Sequence, residues 1–140
     1  MIYVDTSALV PLFIREPKSE AVMGWIEASG ERLAISEWSL VEFASAAAIK
    51  VRTGHTSATM ARQAISRVRE FAQKNCAVVV PGREEFRRAA ELAGDDTLKL
   101  RAGDALHLAL AASLGAKGVL CLDNEMIAGA KSLGMNVVTV

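Results

Sequence analysis

Short apolar runs alternate with longer helical stretches along the whole chain, and this alternation permits few folds. The runs are Ile2 to Val4, Arg32 to Ile35, Cys76 to Val80, Gly118 to Leu122 and Met135 to Val140. A helix between two strands rules out a hairpin and makes parallel pairing the natural outcome. Most of these runs are continuously apolar, as strands covered on both faces are. The chain is therefore expected to form an α/β sandwich around a mostly parallel sheet. No repeat, linker or low-complexity segment interrupts the 140 residues, which suit one domain spanning 1–140.

The helical stretches carry their own punctuation. Thr6 to Ile14 reads as a helix capped by Asp5 or Thr6, and Pro17 opens a second helix that runs to Ala28 and stops at Gly30. Glu37 to Arg52 is a long apolar helix ending at Thr53-Gly54. Thr56 to Lys74 is amphipathic, with Met60, Ala64, Ile65, Val68, Phe71 and Ala72 on one face. Arg83 to Ala93, Ala102 to Leu114 and Asn124 to Leu133 complete the set, the last ending at Gly134.

Within this frame, four acidic residues stand where a solvated carboxylate is least expected. Asp5 and Asp123 each close an apolar run, Glu42 lies in the apolar stretch Trp38 to Val51, and Asp104 precedes Ala-Leu-His-Leu-Ala-Leu. Burying a carboxylate is costly unless a positive charge shares its site. No lysine or arginine adjoins Asp5, Glu42 or Asp123 in sequence. Asp5 and Asp123 follow strands, where open parallel sheets bind ligands. Asp104 sits in the first turn of its helix and Glu42 about two turns into its own, so all four can reach that edge. Four oxygen donors converging there suit a hard divalent cation. The simpler role of helix N-cap accounts for Asp5 or Asp123 alone. His107, one turn beyond Asp104 among Leu and Ala, is expected to be a hydrogen-bonded packing residue.

Composition limits the alternatives. No apolar run approaches the ~18 residues of a membrane span, and the N-terminus lacks the basic start of a signal peptide. Cys76 and Cys121 both fall in apolar runs and are expected to be buried reduced thiols, as in a cytoplasmic protein. Two cysteines and two scattered histidines are too few for a zinc centre. Net charge is zero, from 16 basic and 16 acidic residues. Setting the four acids aside leaves a basic surplus on the remaining surface, concentrated in the second half, which permits a polyanionic substrate.

The order of motifs resembles the PIN-domain ribonucleases, in particular the VapC-type toxins of prokaryotic toxin–antitoxin pairs. The resemblance runs through Tyr3-Val4-Asp5-Thr6-Ser7-Ala8-Leu9, Ser39-Leu40-Val41-Glu42-Phe43, Leu100-Arg101-Ala102-Gly103-Asp104-Ala105-Leu106-His107-Leu108-Ala109 and Leu120-Cys121-Leu122-Asp123-Asn124-Glu125. It implies a PIN-like three-layer α/β/α sandwich with a five-stranded sheet. It also implies a metal-dependent endoribonuclease using Mg2+ or Mn2+. Asp5, Glu42, Asp104 and Asp123 would be both the catalytic and the metal-binding set, with Thr6 or Ser7 in support. Further implied are an RNA substrate, an antitoxin partner and a homodimer, the last also suggested by spare apolar helix surface around Trp25, Trp38 and Phe43.

Two rivals follow from the same residues. An aspartate-nucleophile phosphotransferase would carry a second acid two residues after Asp5, where this chain has Ser7. A catalytically inactive PIN-fold module binding RNA or protein would need no intact acid set.

Overall fold

The computed structural model describes residues 1–140. Its strands are β1 (Ile2–Val4), β2 (Leu33–Ser36), β3 (Cys76–Val79), β4 (Gly118–Leu120) and β5 (Val137–Val138). They form one sheet in the order β3-β2-β1-β4-β5, and every pairing is parallel. Seven α-helices make the crossovers: α1 (Thr6–Leu9), α2 (Ser19–Ser29), α3 (Glu37–Arg52), α4 (Ala58–Asn75), α5 (Arg83–Gly94), α6 (Ala102–Ser113) and α7 (Asn124–Ser132). None of them is long and apolar enough to cross a membrane.

Alternation along the strands divides the core in two. Ile2, Val4, Leu33, Ile35 and Leu120 face one side and pack with Leu9, Val22, Phe43 and Val68 of the first four helices. Tyr3, Ala34, Val119 and Cys121 face the other and pack with Leu92, Leu106, Leu108 and Met126 of the last three. This is the three-layer α/β/α arrangement. The order of connections reverses at β1, which has β2 on one side and β4 on the other. A crevice opens at such a reversal because the two flanking crossovers leave on opposite faces. Asp5 and Asp123 follow the two strands that border it.

The structure revises several local expectations. The helix expected over Thr6 to Ile14 is α-helical only to Leu9 and continues as a 3₁₀ turn over Val10–Leu12. Pro11 has no N–H to donate into an α-turn, so the chain tightens there. Helix α2 begins at Ser19, past Pro17. The Ser19 hydroxyl accepts from the Glu16 N–H at 2.9 Å and donates to the Pro11 carbonyl at 2.6 Å, holding the turn that precedes it. On α4 the buried row is Ala61, Ala64, Val68 and Ala72, whereas Met60 is 54% exposed. The last strand is only two residues long, as a sheet edge tolerates. Phe43 is not surplus surface but fully buried, its ring edge-on to Phe13 at 5.8 Å. Trp25 and Trp38 are half-buried, and the apolar residues that α3 shows to solvent are Val41 and Ile49. Cys121 is buried and Cys76 half-buried, both as free thiols.

Candidate active site

One groove of about 380 Å³ at the carboxyl edge of the sheet is lined by Asp5, Glu42, Asp104 and Asp123, together with Thr6, Ser7, Ser45, Arg101 and His107. All four sequence-predicted acids therefore meet, from four separate segments. Each arrives by a different local device. Asp5 caps α1, its Oδ2 accepting from the Ser7 N–H at 3.0 Å. Asp123 caps α7, its Oδ1 accepting from the N–H groups of Glu125 and Met126. Asp104 is in the first turn of α6 and its Oδ2 accepts from the Arg101 N–H at 3.0 Å. Glu42 is on the second turn of α3, a helix anchored by reciprocal hydrogen bonds between Ser36 and Ser39.

The N-cap role and the groove role are thus compatible, because a carboxylate has two oxygens. Asp123 spends Oδ1 on its helix and keeps Oδ2 facing the groove, and Asp104 spends Oδ2 and keeps Oδ1. The Ser7 hydroxyl also donates to Asp5 Oδ2, at 2.5 Å, leaving Oδ1 for the interior. The Thr6 hydroxyl donates to Glu42 Oε2 at 2.7 Å, the oxygen that also faces His107, while Oε1 lies against Gly103. Four carboxylates lining one groove form a hard-donor set with the chemistry a magnesium- or manganese-sized cation needs.

His107 is the residue whose part in the site its sequence context concealed. It is buried and hydrogen-bonded, as expected, but its partners belong to the groove. Nε2 stands 2.5 Å from Glu42 Oε2 and 3.3 Å from Asp5 Oδ1. These three side chains bring donor atoms within 4.8 Å of one another. On the far side of the ring, Nδ1 is 2.8 Å from the Tyr3 hydroxyl, which donates its single proton to Ser36 Oγ at 3.1 Å. In that arrangement Nδ1–H donates to the tyrosine oxygen. Nε2 faces carboxylates, which only accept, so it donates too. This arrangement favours the protonated ring, a buried positive charge that no neighbour in sequence supplies.

The electrostatics agree with this geometry. Burial alone works against a charged His107, but the Glu42 hydrogen bond and the Asp5 and Glu42 charges outweigh it and raise its pKa. Burial likewise works against ionised Glu42, and His107 and Thr6 reverse it, leaving the carboxyl below its ordinary value. Asp104 moves the other way. Burial raises it, the Arg101 N–H opposes, and the Asp123 charge adds to the rise. Clustered acids without a cation among them repel. Cys121, beside Asp5, is pushed up to about 12 by burial and then by that carboxylate, so it stays a thiol.

Gly103 is a second residue that sequence reasoning passed over. A Cβ there would lie 2.6 Å from Glu42 Oε1. The first turn of α6 meets the end of the Glu42 side chain there, so a methyl group would have to push that carboxylate aside.

A family model described as "PIN domain" matches residues 2–132. Ribonuclease VapC46 of Mycobacterium tuberculosis is 31% identical over 140 residues, covering 98% of this chain and 95% of the relative. The structure of Mycobacterium tuberculosis VapC20, titled a sarcin-ricin loop cleaving toxin, superposes with a TM-score of 0.76 at 16% identity over 100% of both chains. A toxin–antitoxin complex from Klebsiella pneumoniae gives 0.68 at 21% identity, covering 99% of this chain and 97% of that one.

Proposed function

The chain belongs to the PIN-domain family, and from that premise we propose that its acidic groove is the catalytic centre of a VapC-type endoribonuclease toxin. The observation that carries the assignment is the meeting of Asp5, Glu42, Asp104 and Asp123 in one groove at the point where the sheet order reverses. Those four would hold a divalent cation, Mg2+ or Mn2+, both hard ions suited to carboxylate oxygens. When bound, the cation activates a water and offsets charge on the phosphate oxygens. The chain's own residues orient the donors: Ser7 fixes Asp5, Thr6 fixes Glu42, and His107 steadies both carboxylates from behind. An intact acid set speaks against the inactive-module alternative. Metal-dependent cleavage of a labelled RNA panel, silenced by EDTA, tests the reading; equal cleavage in EDTA would refute it.

Gly103→Ala checks the placement of Glu42 without touching an acid. The new methyl pushes the carboxylate aside, while alanine suits the helix better than glycine. Cleavage should fall about 10- to 100-fold, as misoriented ligands commonly cost, with melting temperature unchanged or higher. Wild-type rates would remove Glu42 from the mechanism.

Solved structures of this fold include a toxin–antitoxin complex, and a free RNA-cleaving groove demands an inhibitor. We infer a protein antitoxin that fills the groove and brings a cation, most simply arginine, to the acids. We also infer a C2 homodimer, which would cover exposed apolar side chains such as Phe86 and Val80. Free thiols and an RNA substrate suit the cytoplasm. Expression of the chain alone should slow growth and Asp104→Asn should relieve it, while light scattering should give a dimer at micromolar concentration. A harmless wild-type chain defeats the toxin reading, and a monomer defeats the dimer.

A further inference from the structure

Among the groove-lining side chains only Arg101 combines a permanent positive charge with free access to solvent. His107 is sealed in the core, and Lys50, at the adjoining groove, is paired with Glu16. The Arg101 guanidinium crosses the groove mouth. Nη2 is 3.6 Å from Asp123 Oδ2 and 3.4 Å from Glu125 Oε2, and Nε is 3.9 Å from Asp104 Oδ2. The side chain is nevertheless 72% exposed, and only its Glu125 contact lies within hydrogen-bond distance. Its backbone behaves differently. The Arg101 N–H is held by Asp104 Oδ2 and the residue caps α6. A fixed pivot thus carries a long, loosely held cation whose contacts include an oxygen that Asp123 keeps free of its helix.

We propose that Arg101 competes with the divalent cation for Asp104 and Asp123, and that once displaced it becomes the contact for a substrate phosphate. The inference rests on the catalytic reading above. A cation entering the groove cancels the charge that draws the guanidinium inward and repels it. The pivot keeps the freed fork at the mouth, held only by its exposed Glu125 contact, where it faces an incoming polyanion. A guanidinium matches two phosphate oxygens at once. The two states oppose each other in their demands on the residue, so removing its charge has effects of opposite sign on metal and on RNA.

The experiment compares wild type, Arg101→Gln and Arg101→Lys. Mn2+ is titrated without RNA, with the thermal transition as readout, and cleavage kinetics are then taken at saturating Mn2+. Exposed ion pairs are weak, so Arg101→Gln should lower the Mn2+ midpoint by about threefold. Loss of a charged phosphate contact should raise KM for RNA about tenfold with kcat little changed. Arg101→Lys keeps the charge but not the fork, so its Mn2+ midpoint should stay near wild type while KM rises. An unchanged or higher midpoint for Arg101→Gln overturns the competition, and an unchanged KM overturns the phosphate contact. Equal values for all three variants make Arg101 a surface ion pair. Absence of any Mn2+ response in wild type would instead remove the metal-site reading itself, and this inference with it.

Discussion

Asp5→Asn should abolish RNA cleavage while leaving the fold intact. Asparagine caps a helix about as well as aspartate, so the Ser7 N–H keeps its acceptor and α1 keeps its start. What disappears is a charge at the interior end of the groove, beside His107. Removing a direct donor to the cation should exceed the roughly 10- to 100-fold cost of disturbing the groups that orient such donors. Asp104→Asn should behave alike, because its amide oxygen still accepts from the Arg101 N–H. Circular dichroism and melting curves check the fold, and single-turnover cleavage checks the rate. A folded Asp5→Asn protein that cuts at the wild-type rate would contradict the assignment of the groove.

The second large effect is thermal. Four acids share this groove with one buried histidine and one exposed arginine. A divalent cation that binds only the folded chain stabilises it by about 2.7 kcal/mol at a hundredfold excess over its dissociation constant. For a chain of this size that corresponds to a rise of about 10 °C. Millimolar Mg2+ or Mn2+ should therefore raise the melting temperature, EDTA should reverse the rise, and Asp5→Asn should shrink it. Identical scans with and without metal would count against a cation site regardless of what the cleavage assay reports.

Much of this architecture was legible because strands and acids are adjacent in sequence. Asp5 and Asp123 betray themselves by ending apolar runs, and Asp104 by preceding one, so their shared edge follows from the direction of parallel strands. The boundaries of α3 also agree with expectation, since Ser36 and Thr53-Gly54 bracket it. What was hidden depends on contacts between distant segments. His107 looks like a packing residue from its neighbours, and only the folded chain brings Tyr3 to one side of its ring and Asp5 and Glu42 to the other. Gly103 carries no local signal, because the pressure on it comes from Glu42, 61 positions away. Phe43 was misjudged for a related reason: the face of α3 that holds it is covered by Phe13 from the segment after α1. The breadth of α4's buried stripe was overestimated at Met60, where a seam of alanines lets the helix lie close and narrow.

The pairing of Val4 with Leu120 has a consequence in time. The central strand is made almost first, and its second neighbour, with Asp123 just behind it, almost last. At ~5–20 residues per second, roughly 6–24 s of synthesis separate the two. Throughout that interval a ribosome carries a chain whose acid set is incomplete, because Glu42 and Asp104 are added during it and Asp123 only at its end. The nuclease is therefore disarmed while it is still attached to the RNA-rich machine that builds it. The same delay leaves one side of β1, apolar on both faces, without its strand partner until β4 arrives.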